Sequence, residues 1–288
     1  MTTAPTTVDS GGNVNHGRRV VVAWLVLSAI TTPLVAIFVG PLIPPGNGSV
    51  QGQGQVFDNQ VMTSLITPIL CLLAVFFAYG LVQFHAKRGA ELVDGPPLRH
   101  DSQVQILWIV ITTAMVLFLA GFGTYELLKD GSGGGQGPSP IAFPANHQNA
   151  FQVQVIAQQW QFTYRYPSLG GMETHQLALP ANTDVEIHVT SLDVIHSFWA
   201  VELGVKADAN PGIDNIVYVQ TKGTRLFHVR CAELCGLWHG YMYNTGRVLE
   251  PAQFHSWAAG QEKIFASIKK YLPPYSHTYV PQPDRRAG

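Results

Sequence analysis

Three long apolar runs occupy the first half of the chain, and short alternating segments occupy the second. The runs cover roughly 20–40, 62–84 and 106–128. Each has about the 20 residues that a helix needs to cross a hydrocarbon core. Pro33 and Pro68 fall inside runs, where membrane helices tolerate them. Lys87, Arg88 and Arg99 lie between runs two and three, Arg18 and Arg19 precede run one, and residues 41–61 contain no Lys or Arg. By the positive-inside rule, 1–19 and 85–105 are cytoplasmic and everything after Lys129 faces outward. Runs two and three then form a transmembrane hairpin, 62–128. Run one has two readings that stay open: an extra retained helix, or a cleaved signal peptide with its basic start. It is long for a signal peptide and has no clean small-x-small site at its end. Residues 1–19 are polar and Thr/Gly/Asn-rich, which predicts disorder.

Beyond a linker at 129–149, which contains the Gly/Ser/Pro stretch 131–140, the period changes. Phe151-Gln-Val-Gln-Val-Ile, Val185-Glu-Ile-His-Val, Ile216-Val-Tyr-Val and Leu226-Phe-His-Val alternate apolar with polar positions. Separated by Pro, Gly and Asn turns, they predict a small β-sandwich or barrel. A helix beginning Pro251-Ala-Gln-Phe closes a domain of 150–271, and the Pro-rich tail 272–288 predicts no fold. The fold class is therefore membrane α plus all-β.

Composition agrees with the membrane reading: 12% of residues are charged and mean hydropathy is +0.13. A net charge of -1 offers no basic excess for nucleic acid. Three cysteines cannot build a disulfide framework. Cys71 lies in an apolar run as a packed thiol, whereas Cys231 and Cys235 sit among other metal-capable side chains.

The segment Cys231-Ala-Glu-Leu-Cys235-Gly-Leu-Trp-His239-Gly-Tyr-Met242 places two thiols, an imidazole and a thioether within twelve residues. A second imidazole, His196, lies upstream in Asp193-Val-Ile-His-Ser-Phe-Trp. Thiolate, thioether and imidazole form a soft set that favours copper over hard cations. A mononuclear blue site needs two His, one Cys and a weak Met. The extra thiolate here is what a second copper requires, and Glu233 offers a backbone carbonyl between the cysteines. Zinc is the plain alternative, since Cys-x3-Cys-x3-His with a distant His resembles a Cys2His2 set. Met242 is no zinc ligand, and a domain of this size folds without a metal.

These residues resemble the dinuclear copper loop of cytochrome c oxidase subunit II, Cys-x-Glu-x-Cys-Gly-x-x-His-x-x-Met, with every ligand position filled. The His196 segment, Gly204-Val-Lys-Ala-Asp-Ala-Asn-Pro-Gly and Gln159-Trp160-Gln-Phe-Thr-Tyr-Arg-Tyr166 are similar to further stretches of the family, and the likeness covers about 62–260. The resemblance implies an extracytoplasmic cupredoxin-like β-sandwich on a membrane hairpin in a cell membrane. His196, Cys231, Cys235, His239 and Met242 would hold the copper pair (CuA), with the backbone oxygen of Glu233. The Glu233 carboxylate would reach a Mg or Mn ion shared with the catalytic subunit. Trp160 would take electrons from cytochrome c. Implied partners are the catalytic haem-copper subunit I, subunit III, and a cytochrome c or other c-type haem donor. The implied function is electron input to a proton-pumping oxidase that reduces O2 in subunit I.

The sequence departs from that pattern in places. Gln103 and Gln105 stand where acids are expected at the start of the third run, so a part in proton uptake is in question, with Asp101 the nearest carboxylate. Arg165 takes a position often acidic. Residues 150–260 hold nine acidic and six basic residues, a net of -3, which steers a basic donor only weakly. Asp193 and Asp208 read as docking groups, or as a turn and a cap. His147, His175, His188, His228 and His255 have no motif partner and read as surface or packed histidines. The copper subunit of a nitric oxide reductase is the alternative function. A quinol oxidase subunit that has lost its copper and a copper storage protein fit less well, because all ligands and the membrane hairpin are present.

Overall fold

A computed structural model describes residues 15–43, 46–85, 101–130 and 149–269. The chain divides into two compact units. The expectations for 1–14, for most of the linker and for the tail lie outside the described residues.

The first unit holds α1 (His16–Leu34) and the greater part of α2 (Val50–Gln83). Helix α1 starts before its apolar run, because Asn15 caps it by accepting the Arg18 N–H at 2.9 Å. Arg18 and Arg19 are therefore helical. Pro33 removes a donor from the ladder, and a π-helical turn, Val35–Val39, follows it. Polar contacts tie α1 to α2 along their length. His16 Nδ1 lies 2.7 Å from the Tyr79 hydroxyl, Trp24 Nε1 donates to the Pro68 carbonyl at 2.8 Å, and Thr31 Oγ1 lies 3.0 Å from Cys71 Sγ. In hydrocarbon such contacts have no water to compete with them.

Helix α2 begins twelve residues before the second apolar run. At 34 residues it is about 51 Å long, well beyond a core of about 30 Å. The excess is the Gln/Gly-rich turn set, which belongs to the second unit and is docked on the β-domain. Ser49 caps the helix by accepting the Gly52 N–H at 2.8 Å, and pairs as a β-bridge with Thr221. Gly48 N–H donates to Glu202 O at 2.9 Å, Lys222 N–H to Gly48 O at 3.0 Å, and Gln55 Nε2 to Gly204 O at 2.5 Å. Helix α3 (Ser102–Asp130) is capped by Asp101, which accepts from the backbone N–H groups of Gln103 and Val104. Among the described residues, three helices are long and apolar enough to cross a membrane: His16–Leu42, Val50–Gln83 and Ser102–Leu128.

The β-domain is a sandwich of two five-stranded sheets. One has the order β3 (Met172–Thr174), β2 (Gln161–Tyr166), β1 (Phe151–Gln158), β5 (Asp184–Ser191), β8 (Asn215–Gln220). The other runs β4 (Ala178–Pro180), β10 (Tyr243–Leu249), β9 (Arg225–Cys231), β6 (His196–Ala200), β7 (Val205–Ala209). The alternation read from the sequence aims Val185, Ile187 and Val189 inward with Phe162, Phe198, Phe227 and Val229. Phe162 and Phe198 meet edge to face at 5.9 Å. Burial raises the pKa of Tyr164 and Tyr166 far above the ordinary phenol value, and both stay neutral donors, to Asn244 Oδ1 and Ala178 O. Gly246 is required where it stands: a Cβ there would lie 2.2 Å from the Phe227 ring that crosses it. Helix α4 (Pro251–Ile268) seals the end of the core, with Phe254 against Phe151 at 5.4 Å and Trp257 against Tyr166 at 5.6 Å.

Candidate metal centre

Strands β6 and β9 pair with Phe198 opposite Cys231, which brings His196, at the start of β6, to the end of β9. The chain then leaves the sheet, loops through 232–242, and returns as β10, with Cys231 N–H donating to Met242 O at 3.0 Å. This loop and the one before His196 place every predicted sulfur and nitrogen on one cluster. Cys231 Sγ lies 3.9 Å from His196 Nδ1, 3.8 Å from Cys235 Sγ and 3.2 Å from the Glu233 carbonyl oxygen. Cys235 Sγ lies 3.5 Å from His239 Nδ1 and 3.8 Å from Met242 Sδ. The two sulfurs are not bonded, since a disulfide needs about 2.05 Å. His196, Cys231 and Cys235 alone form a set whose ligand atoms all lie within 4.8 Å of one another.

The cluster has a dry side and a wet side. His196 is fully buried and Cys235 and Met242 nearly so, whereas Glu233, Leu234, Leu237 and Trp238 are exposed. Burial and the neighbouring Cys231 push the Cys235 thiol up to about 12, so in the metal-free chain it keeps its proton. A bound cation reverses that preference, and metal uptake releases protons. Two buried soft donors, two sulfurs facing each other and two imidazoles suit copper.

Surrounding groups fix the ligands. Asp193 Oδ1 accepts from His196 Nε2 at 2.9 Å, leaving Nδ1 for the cluster. The same carboxylate accepts the Gln159 N–H and the Val194 N–H, both at 2.7 Å. Partial burial alone would raise the Asp193 pKa; the bonds from Gln159, His196 and Val194 outweigh it and hold it below the usual carboxylate range. Trp160 Nε1 and Gln159 Nε2 both donate to the Cys235 carbonyl, at 3.1 and 2.8 Å. Gly236 sits beneath them at φ +111°, and a Cβ there would lie 3.0 Å from the Gln159 amide.

Gln159 was not among the candidates read from the sequence, and Asp193 was read as a docking or turn residue when it is the partner of His196. An Asp three residues before a ligand His is the signal that would have found it. His188 is packed and His228 lies at the surface, each against carboxylates. His188 lies 2.8 Å from Asp214 and 2.7 Å from Glu186, and His228 lies 2.6 Å from Glu202. Burial alone would lower the His188 pKa, but its bonds to the two carboxylates raise it to about 9. Arg165 pairs with Glu173 at 3.9 Å across β2 and β3. His175 and His255 are exposed, and His147 lies outside the described residues.

Sandwich, soft-ligand cluster and apolar helices together define a membrane-anchored, cupredoxin-like copper protein. The family model described as "Cytochrome C oxidase subunit II, periplasmic domain" matches residues 171–245, which include the cluster from His196 to Met242. Cytochrome c oxidase subunit 2 of Thermostichus vulcanus is 24% identical, over 84% of this chain and 86% of its own. The alternative cytochrome c oxidase subunit 2 of Bradyrhizobium diazoefficiens is 26% identical, over 75% and 83%. Among solved structures, the periplasmic domain of subunit II of cytochrome oxidase (CoxB) of Bradyrhizobium japonicum is 31% identical, covering 40% of this chain and 95% of that one at a TM-score of 0.39. The chain is thus similar to cytochrome c oxidase subunit II, in its β-domain by the family model and over most of its length by these relatives. That likeness implies a copper centre and a membrane protein with an extracytoplasmic domain.

Proposed function

We propose that this chain is the electron-input subunit of a cytochrome c oxidase, with a dinuclear copper centre held by His196, Cys231, Cys235, His239 and Met242 and the Glu233 carbonyl. The observation that carries the reading is the convergence of all six groups at one end of the sandwich, with the two sulfurs 3.8 Å apart and unbonded. Bound there, the copper pair supplies a site that takes up and gives out one electron shared between two metals. The chain supplies the frame. Cys231, Cys235, the two imidazoles and the Met242 thioether would hold the copper, and Asp193 fixes the His196 ring. Frame rigidity keeps the geometry alike in both redox states, which favours fast transfer.

Trp160 is the proposed point of electron input. Its indole donates a hydrogen bond to the Cys235 carbonyl, a short covalent and hydrogen-bonded path to the site. The donor is a c-type haem protein, and the acceptor is the haem of the catalytic subunit I, where O2 is reduced with proton pumping; subunit III completes the assembly. The exposed Glu233 carboxylate is free to join a Mg or Mn ion at the contact with subunit I. On this reading 150–271 is the copper domain, 129–149 its linker and 62–128 the membrane hairpin.

The test is rapid mixing of reduced cytochrome c with the purified oxidase, following the copper and haem bands together with O2 uptake. Reduction of the copper band before the haem bands supports the proposal. Haem reduction at an unchanged rate in a copper-free Cys235→Ser oxidase would contradict it, as would turnover with nitric oxide but not with O2.

A further inference from the structure

Helix α1 lies outside the hairpin on which the oxidase reading rests, and a groove runs along it. The groove has a volume of about 690 Å³, with Val22, Val26 and Ile30 of α1 on one wall and Val75 of α2 on the other. At its cytoplasmic end stand Arg18 and Arg19. The spacing 18, 22, 26, 30 puts these side chains on one helix face. Both guanidinium groups are exposed, and neither has an ion-pair partner among the described residues.

We propose that this groove binds an anionic phospholipid of the cytoplasmic leaflet. Its phosphate sits on Arg18 and Arg19, and an acyl chain lies along Val22, Val26 and Ile30. Dimensions agree. From residue 18 to residue 30 the helix rises about 18 Å, close to the roughly 15 Å of one hydrocarbon leaflet. Charge agrees as well: positive-inside topology sets the arginines at the cytoplasmic surface, where anionic headgroups concentrate. The groove is preformed, because the contacts of Trp24 with Pro68 and of Thr31 with Cys71 hold α1 on α2 independently of any lipid.

The test uses the intact oxidase complex, stripped of lipid in detergent and titrated with phosphatidylglycerol or phosphatidylcholine of identical acyl chains, with bound lipid counted by native mass spectrometry. The expected result is a retained phosphatidylglycerol. Arg18→Gln with Arg19→Gln should reduce its preference over phosphatidylcholine roughly twenty-five-fold, at about a factor of five per cation. Arg18→Lys with Arg19→Lys should keep that preference, and Val26→Trp, which fills the groove, should lose the retained lipid with both arginines in place. Equal retention of the two lipids, or retention unchanged in both the glutamine and tryptophan variants, would overturn the proposal. So would an intact mass showing α1 cut away, or a cross-link from position 26 to a helix of another subunit in a complex that retains no lipid.

Discussion

Replacing Asp193 by alanine tests how far the copper site depends on groups that never touch the metal. The carboxylate accepts from His196 Nε2 at 2.9 Å and from two backbone N–H groups, those of Gln159 and Val194. His196 is fully buried, so without Asp193 its Nε2–H loses its protein partner. An unmet buried donor costs about 1–3 kcal/mol. Where the ring turns away from the cluster, the whole of that cost falls on metal affinity, a loss of roughly 5–150-fold, which brackets the roughly 10–100-fold typical of removing a metal ligand's hydrogen-bond partner. The segment 159–160 also loses an anchor, so the Trp160 indole loosens on the Cys235 carbonyl. Asp193→Asn separates these effects: an amide oxygen of the same shape still accepts from His196, but without charge. The imidazole becomes a poorer donor to oxidised copper, and the reduction potential rises. The assay is copper retention against a graded chelator, with potentiometry on the same samples. The account predicts a large affinity loss for alanine, a small one for asparagine, and a raised potential in both. Wild-type affinity and potential in the alanine variant would refute it.

Other outcomes follow from the same geometry. Trp160→Phe, which keeps the ring but loses the bond to Cys235, should slow electron transfer from cytochrome c while leaving the copper spectrum unchanged; normal turnover would remove its role. His188 has a folded pKa raised to about 9, so the stability it contributes is complete below its unfolded value of about 6.5 and is lost as pH rises through 9. Denaturant unfolding of the β-domain should therefore show a loss of roughly 3 kcal/mol between pH 6.5 and 9, and His188→Gln should abolish that slope. Gly246→Ala puts a methyl group into the Phe227 ring, a cost of about 1–3 kcal/mol; an unchanged melting temperature would show that the ring moves aside freely.

The membrane spans were legible because composition alone decides them, and the strands because Val185, Ile187 and Val189 alternate with polar neighbours. The start of α2 was not. Gly52, Gly54 and four glutamines between 51 and 60 disfavour a helix locally; Ser49, buried against Leu203 and Thr221, holds it from across the fold. The loop of soft donors could be read because Cys231, Cys235, His239 and Met242 lie within twelve residues of chain. Gln159 could not, since its target carbonyl at Cys235 is 76 residues away. The His188 pair with Glu186 was within reach as two same-face positions of one strand, whereas Asp214 arrives only through the pairing of β5 with β8.

The central claim is the two-copper site, and metal counting with paramagnetic resonance tests it most directly. The purified full chain, loaded with copper and partly reduced, should hold two coppers and show one unpaired electron shared equally between them. Cys231→Ser and Cys235→Ser should each abolish that signal. One copper per chain with a mononuclear spectrum, or a shared-electron signal that survives loss of either cysteine, would contradict the account.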